Sequence, residues 1–362
     1  MRNPRLYFSL RHTSYLWASM AQWERGVRKT KQVWKRLGTA VPVAVCMSLI
    51  LSVSAYAARL LPMGTAVGIE VAVDGVLVSE LSTVDTPDGP VSPAAKAKVM
   101  AGDVITAVDG ERVTNVKDFA GHSEKFDGTP VQLTVERGEE TLSCSVTPVQ
   151  SPEGKYQLGL WLRDTVAGVG TVTYASPETG AYGALGHGIN DRSSGAVIPI
   201  SGGEIFDASI VHVVQGKSGS PGELNGAFDR AKVCGGVSGN TVYGIFGRLN
   251  RLPKMGIEPL ETAKPGEVKT GPATILSTVE GTEPRAYDVR IDRIQRMAGE
   301  ERYQLTVTDP ELLGKTGGVV CGMSGSPIIQ GGKLVGAVTH VLVNDPTRGY
   351  GIFIENMLEA AE

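Results

Sequence analysis

Residues 322–338 read Gly322-Met323-Ser324-Gly325-Ser326-Pro327-Ile328-Ile329-Gln330-Gly331-Gly332-Lys333-Leu334-Val335-Gly336-Ala337-Val338. Two apolar runs separated by Gly331-Gly332 predict a β-hairpin, since paired glycines supply the positive φ angles of a two-residue turn. The serine that precedes them sits in a glycine-flanked turn. That setting lets a hydroxyl nucleophile and the neighbouring backbone N–H groups of Gly322 and Ser324 converge on one developing oxyanion. A second copy, Gly216-Lys217-Ser218-Gly219-Ser220-Pro221, leads into Gly222-Glu223-Leu224-Asn225-Gly226 with no apolar strand-hairpin-strand behind it. Ser324 is therefore the favoured nucleophile, and Ser218 reads as a structural turn.

Outward from this segment, residues 156–362 offer short apolar runs and glycine turns in a chain with 46 glycines and 20 prolines but no collagen-like period. The fold class is mainly β, with room for two small barrels or a sandwich. Ala286–Arg296 alternates Tyr287, Val289 and Ile291 against Asp288, Arg290 and Asp292, as a strand with one wet face would. Only Ile354–Ala361 reads as a short helix. Upstream, Gln150–Gly154 is a linker, and 60–150 form a separate module. There Asp74-Gly75 between Gly68–Val73 and Val76–Val78 signals a hairpin, Ser92–Met100 a short capped helix, and Asp109-Gly110 another turn.

The formal net charge of -3 conceals an asymmetry. Residues 1–36 carry nine Lys/Arg against Glu24, a net of +8, and the rest carries 26 basic and 37 acidic residues, a net of -11. An acidic body excludes bulk electrostatic attraction for nucleic acid. Leu37–Ala58 holds 22 uncharged residues, long enough to cross a hydrocarbon layer of about 30 Å. The basic flank predicts a cytoplasmic N-terminus, with the body across the membrane. A signal peptide cleaved near Ala55-Tyr56-Ala57 would also export the body, and a core helix is the third option. Cys46, Cys144, Cys234 and Cys321 form no C-x-x-C pair and have no metal-ligand spacing to histidine, so neither a zinc site nor a disulfide framework is indicated.

A serine nucleophile needs a base. Of five histidines, His12 lies in the basic segment and His122 in the first module. His212 alternates with apolar neighbours, and His340 ends an apolar run. His187, in Gly183-Ala184-Leu185-Gly186-His187-Gly188-Ile189, has flanking glycines that allow close backbone approach, and it is the favoured base.

These motifs carry three resemblances. Gly322–Pro327 with its hairpin resembles the nucleophile loop of chymotrypsin-like serine proteases, which implies a double β-barrel for 156–362, although Met323 stands where many have aspartate. Ser92–Val113 is similar to a bacterial PDZ domain, which implies that Ala66, Val67, Gly68 and Ile69 form a carboxylate-binding loop for an added peptide strand. The basic anchor, the PDZ-like module, GALGHGI and GMSGSPI together, with Thr339-His340-Val341 and Asn344–Thr347, resemble the SpoIVB peptidase family over residues 37–362. That resemblance implies a triad of His187, Asp309 and Ser324. Asp309 precedes the serine by only 15 residues, so Asp191, Asp288 and Asp292 stay open as the acid. It also implies a metal-independent, membrane-tethered endopeptidase without cofactor that cleaves itself and a membrane-bound regulator of an intramembrane metalloprotease. The setting would be the space between forespore and mother-cell membranes during sporulation. The competing expectation is a PDZ adaptor that kept a protease-like fold without turnover.

Overall fold

The computed structural model describes residues 58–253, 256–297 and 300–362. The expected basic segment 1–36, and all but the last residue of the expected span 37–58, lie outside the described residues. Among the described residues no helix is long and apolar enough to cross a membrane.

The described chain opens on β1 (Arg59–Leu81), followed by α1 (Pro93–Lys96), β2 (Val104–Val108), β3 (Glu111–Arg112), α2 (Val116–Ser123), β4 (Val131–Arg137), β5 (Glu140–Val146) and the two-residue strands β6 (Val149–Gln150) and β7 (Tyr156–Gln157). Then come β8 (Leu160–Ala175), β9 (Ala181–Ala184), β10 (Ile200–Val214), β11 (Glu223–Thr241), β12 (Gly244–Leu249) and β13 (Leu260–Glu261). The last part holds β14 (Gly271–Ser277), β15 (Arg285–Met297), β16 (Glu300–Val307), α3 (Pro310–Thr316), β17 (Pro327–Gln330), β18 (Lys333–Leu342), β19 (Asp345–Phe353) and α4 (Ile354–Glu359).

Two six-stranded rings result. In the first, the order β10-β11-β12-β9-β8-β1 closes through a β10–β1 pairing; in the second, β14-β15-β16-β19-β18-β17 is a closed barrel. Closure removes the sheet edges that glycine-rich strands would otherwise expose. Alternation sorts the faces: Tyr287, Val289 and Ile291 of β15 point into the second core with Tyr303, Ile328 and Val335. The predicted turns at Asp109-Gly110 and Gly331-Gly332 both form two-residue hairpins with positive φ at each turn residue. The expected C-terminal helix is α4.

The PDZ-like module is built from the end of β1 with β2, β3, β4 and β5, and from α1 and α2. Its own core includes Val76, Val78, Ile105, Leu133 and Val135.

Two expectations fail at β1. Residues 68–73 and 76–78 do not fold back on each other. They belong to one 23-residue strand whose irregular stretch at Ala72–Leu77 carries Gly75 at φ 135°. The local Asp-Gly signal loses because β8 is long enough to pair with both halves. For the same reason Ala66, Val67, Gly68 and Ile69 are not a carboxylate loop. Each is paired with β8, and Val67, Gly68 and Ile69 also with β10, so they are staves of the first barrel. The span 60–150 is thus shared between two structures, with 60–73 in the barrel.

Candidate active site

Ser324 occupies the turn before β17. The turn is held by Ser326, fully buried, whose hydroxyl donates to Met323 O at 2.7 Å and lies 3.0 Å from Ser277 Oγ, and by the Gly325 N–H, which donates to Val338 O at 2.7 Å. From the first barrel, β8 braces the same turn: Thr171 Oγ1 donates to Gly322 O at 2.8 Å and Thr171 N–H to Ser324 O at 3.2 Å. Gly325, at φ 97°, is required here, because a Cβ would overlap the Thr171 carbonyl and the Leu185 backbone.

Among the described residues, the N–H groups of Cys321, Met323, Gly325 and Ser326 each find a backbone acceptor, whereas those of Gly322 and Ser324 have none. Two unpaired donors, one from the serine itself and one from the residue two before it, can hold an oxyanion.

His187 follows β9 in the first barrel and lines the same cavity as Ser324, a space of about 520 Å³ between the barrels. The ring Nδ1 lies 2.8 Å from Gly188 O. A carbonyl can only accept, so Nδ1 carries the proton and Nε2 the lone pair when the ring is neutral. Burial pushes the His187 pKa below the ordinary 6.5, against a smaller opposite effect of the Gly188 bond. That direction favours the neutral ring at pH 7.

His340 of β18 packs on it, with ring centroids 4.8 Å apart and planes inclined by 32°. Desolvation of its ring first, although part of the residue stays exposed, and then the charges of His187 and Arg302 push His340 down to about 4. The chain neighbour of His340, Thr339, accepts the Ser324 Oγ hydrogen bond at 2.6 Å through its carbonyl. Among the described residues no hydrogen bond joins Ser324 to His187.

Asp309 is not brought to this cavity. It is the N-cap of α3, accepting from Leu312 N–H at 2.9 Å and from Asp288 N–H at 3.3 Å. The run Asp309-Pro310-Glu311 is a helix start, with proline at the first helical position, and that local chemistry fixes the carboxylate where it is. Asp191 closes its own loop, accepting from the N–H groups of Ser193 and Ser194. Asp292 accepts from Thr306 Oγ1 and Arg290. None of these, nor Asp288, lines the cavity. His212 is exposed on β10, and His122 is on α2.

Sequence reasoning missed Thr171, the Thr339 carbonyl, the Gly188 carbonyl and the stacking of His340. A backbone carbonyl has no side-chain signature, and the pairing of residues 187 and 340 exists only once both barrels are closed.

Comparison with known proteins bears on this site. The profile of the SpoIVB peptidase S55 family matches residues 154–358, and that of the PDZ domain matches 70–147. A Brucella suis protein named a DegP-like periplasmic serine endoprotease is 31% identical over 150 residues, 40% of this chain and 28% of its own length. A Clostridium perfringens protein named a zinc metalloprotease is 32% identical over 71 residues, 20% of this chain and 21% of its own. The chain thus spans between about a fifth and under a third of these relatives' length. Among solved structures, the inactive form of the Rv3671c protease covers 53% of this chain and 82% of its own at 18% identity, with a TM-score of 0.32.

Proposed function

This chain belongs to the SpoIVB peptidase S55 family and is a PDZ-containing serine peptidase, and from that premise we propose that Ser324 is its nucleophile and His187 its general base. The observation that carries the reading is that a histidine of the first barrel and a serine of the second line one cavity beside two N–H groups free to donate to an oxyanion. As a substrate carbonyl arrives, the Ser324 hydroxyl turns from Thr339 O to His187 Nε2 and gives up its proton as Oγ attacks. The N–H groups of Gly322 and Ser324 hold the negative oxygen. His187 then returns the proton to the leaving amine, and water repeats the sequence on the acyl-enzyme. Gly188 O does what a triad carboxylate does for orientation, fixing the tautomer, but supplies no full charge to the imidazolium.

The apolar walls of the cleft, which include Val169, Leu185, Val320 and Val341, suit an apolar side chain of the substrate. The proposal extends to a membrane-tethered enzyme, anchored through 37–58 with its acidic body on the extracytoplasmic side. There it would carry out regulatory proteolysis in sporulation signalling on a membrane-bound regulator and on itself. Because β1 is a barrel stave from near Arg59 onward, self-cleavage that keeps the barrel intact falls before Arg59.

The test is self-cleavage and labelling by an active-site serine reagent in the full chain, compared with Ser324→Ala and His187→Ala. Loss of both signals in both variants is the expected result. Neither cleavage nor labelling in the wild type would leave a PDZ adaptor, the reading favoured by the Ser324 hydroxyl resting on Thr339 O instead of on His187.

A further inference from the structure

A histidine that serves a serine nucleophile needs two things: its ring must be held in one plane, and the positive charge it gains must be stabilised. The Gly188 carbonyl meets these only in part. A single hydrogen bond at Nδ1 leaves the His187 ring free to swing about the Nδ1···O line, and a carbonyl carries no full charge. No Asp or Glu lines the space that holds Ser324, nor the second space of about 550 Å³ on which both His187 and His340 also border. The charged and titratable groups that face the two rings are Arg192 and Cys321 in the first space, and Arg302, Tyr243 and Tyr350 in the second. What His187 has instead of a carboxylate is the ring of His340, with centroids 4.8 Å apart and planes inclined by 32°.

The backbone builds this contact in. Gly186, at φ 70°, brings the histidine loop so near β18 that a Cβ there would stand 3.1 Å from Thr339 Cγ2 and 3.3 Å from Ala337 Cβ. Successive residues of β18 then meet the two reacting groups: the Thr339 carbonyl accepts from Ser324 Oγ, and His340 lies on His187. Burial first, and then the charges of His187 and Arg302, push His340 down to about 4, so at neutral pH it is an uncharged aromatic ring. A cation within about 6 Å of an aromatic centroid is attracted to its π face, more strongly where water is excluded.

We propose that His340 is the positioning residue of the base: its ring fixes the plane in which His187 Nε2 meets Ser324 Oγ, and its π face stabilises the imidazolium that a carboxylate stabilises in a triad. The proton passes from Ser324 Oγ to His187 Nε2 and on to the leaving amine, and His340 neither gains nor loses one. Arg302, which lies over the Tyr350 ring at 5.7 Å, adds to the charge that keeps His340 from taking that proton. This inference rests on His187 being the base. An active His187→Ala variant would sink that reading, whereas the variants below decide the role of His340 alone.

The test is kcat, KM and the pH profile of kcat/KM on one peptide substrate, for the full chain and for His340→Leu and His340→Phe. Leucine fills the place without a π face. It is expected to lower kcat about tenfold while KM stays within about twofold. Its acid limb is expected to move to lower pH by about half a unit to one unit, because the protonated base has lost a stabilising contact. Phenylalanine supplies a face that cannot titrate, and it is expected to recover kcat to within about threefold of wild type with the acid limb back in place. Wild-type kinetics in both variants, or an equal loss in both with no movement of the acid limb, overturns the proposal and leaves His340 a packing residue. A second measurement needs no variant to fold. NMR titration of the imidazole nitrogens in the intact chain is expected to show His187 taking its proton first, with His340 neutral until about 4. Protonation of His340 ahead of His187 overturns the proposal as well.

Discussion

The two copies of Gly-x-Ser-Gly-Ser-Pro have opposite fates. In 322–327 the second serine is fully buried and bonded to Met323 O and Ser277, the first faces the cavity, and Gly325 lies against the backbone of Thr171 and Leu185. In 216–221 Lys217 and Ser220 pair with each other through their backbones, Ser218 is exposed with its hydroxyl on Asn344 O, and the space around Gly219 is open. The copies are neighbours in space: Cys321 N–H donates to Gly222 O, Leu224 N–H donates to Cys321 O, and Pro221 lines the same cavity as Ser324. The difference teaches that six residues set a turn but not a nucleophile. What sets the proposed nucleophile apart is the barrel strand on each side, β8 bracing the carbonyls and β17 carrying the turn into the core.

The sharpest way to break that contrast is to remove each hydroxyl. Ser324→Ala is expected to lower peptide hydrolysis by about 10⁶-fold, the order seen when a serine peptidase loses its nucleophile. Ser218→Ala is expected to stay near wild-type turnover. Initial rates on one peptide substrate decide it, and a reversal of the two results would move the nucleophile to the surface copy.

The glycines give the next largest effect. In Gly325→Ala the new methyl meets backbone that cannot yield, so the turn must shift, and a displacement of about 1 Å at the reacting atoms costs about 10²-fold in rate. Gly219→Ala meets nothing, and at φ 82° pays only the left-handed penalty of about 1–2 kcal/mol in stability. Turnover and thermal denaturation of both variants separate the cases. Equal activity in the two would show that the buried turn tolerates movement.

A smaller effect distinguishes the serines by pH. Ser324 shares its cavity with His187, whose pKa lies below 6.5, and the base works only unprotonated. As pH falls, kcat/KM is therefore expected to hold through the ordinary histidine value and to drop only below it, measured over about pH 5 to 8, where histidine usually titrates. An acid limb centred at or above 6.5 would mean that a nearby negative charge raises the base, as a triad carboxylate would.

How much of this was legible varied with the range of the interaction. The hairpins at Asp109-Gly110 and Gly331-Gly332 are written in residues that take positive φ, so local chemistry sufficed. His187 and Ser324 stood out because glycines flank both, and the structure places them on one cavity. Asp74-Gly75 carried the same local signal as Asp109-Gly110 and misled, since a long partner strand decides whether such a pair turns the chain or bends it. Ala66–Ile69 failed with it. Asp309 came from the family resemblance in spite of its closeness to the serine, although Asp-Pro-Glu already spelled a helix start.

That helix supplies the smallest and last test, because α3 belongs to the surface copy. Gly216 N–H donates to Thr316 O at 2.8 Å, and Gln215 Nε2 donates to Gly314 O at 2.8 Å, so α3 ties down the start of 216–221. Losing the cap in Asp309→Ala is expected to cost about 1 kcal/mol of stability. Asparagine caps about as well as aspartate, so Asp309→Asn should cost little. Neither change touches the cavity, and kcat in both is expected to stay within about twofold of wild type, since an effect of surface origin does not reach the bound geometry. Urea denaturation and steady-state rates of the two variants measure both quantities. A collapse of kcat in Asp309→Asn with stability intact would return the carboxylate to His187, and would mean that the barrels close further in the working enzyme than here.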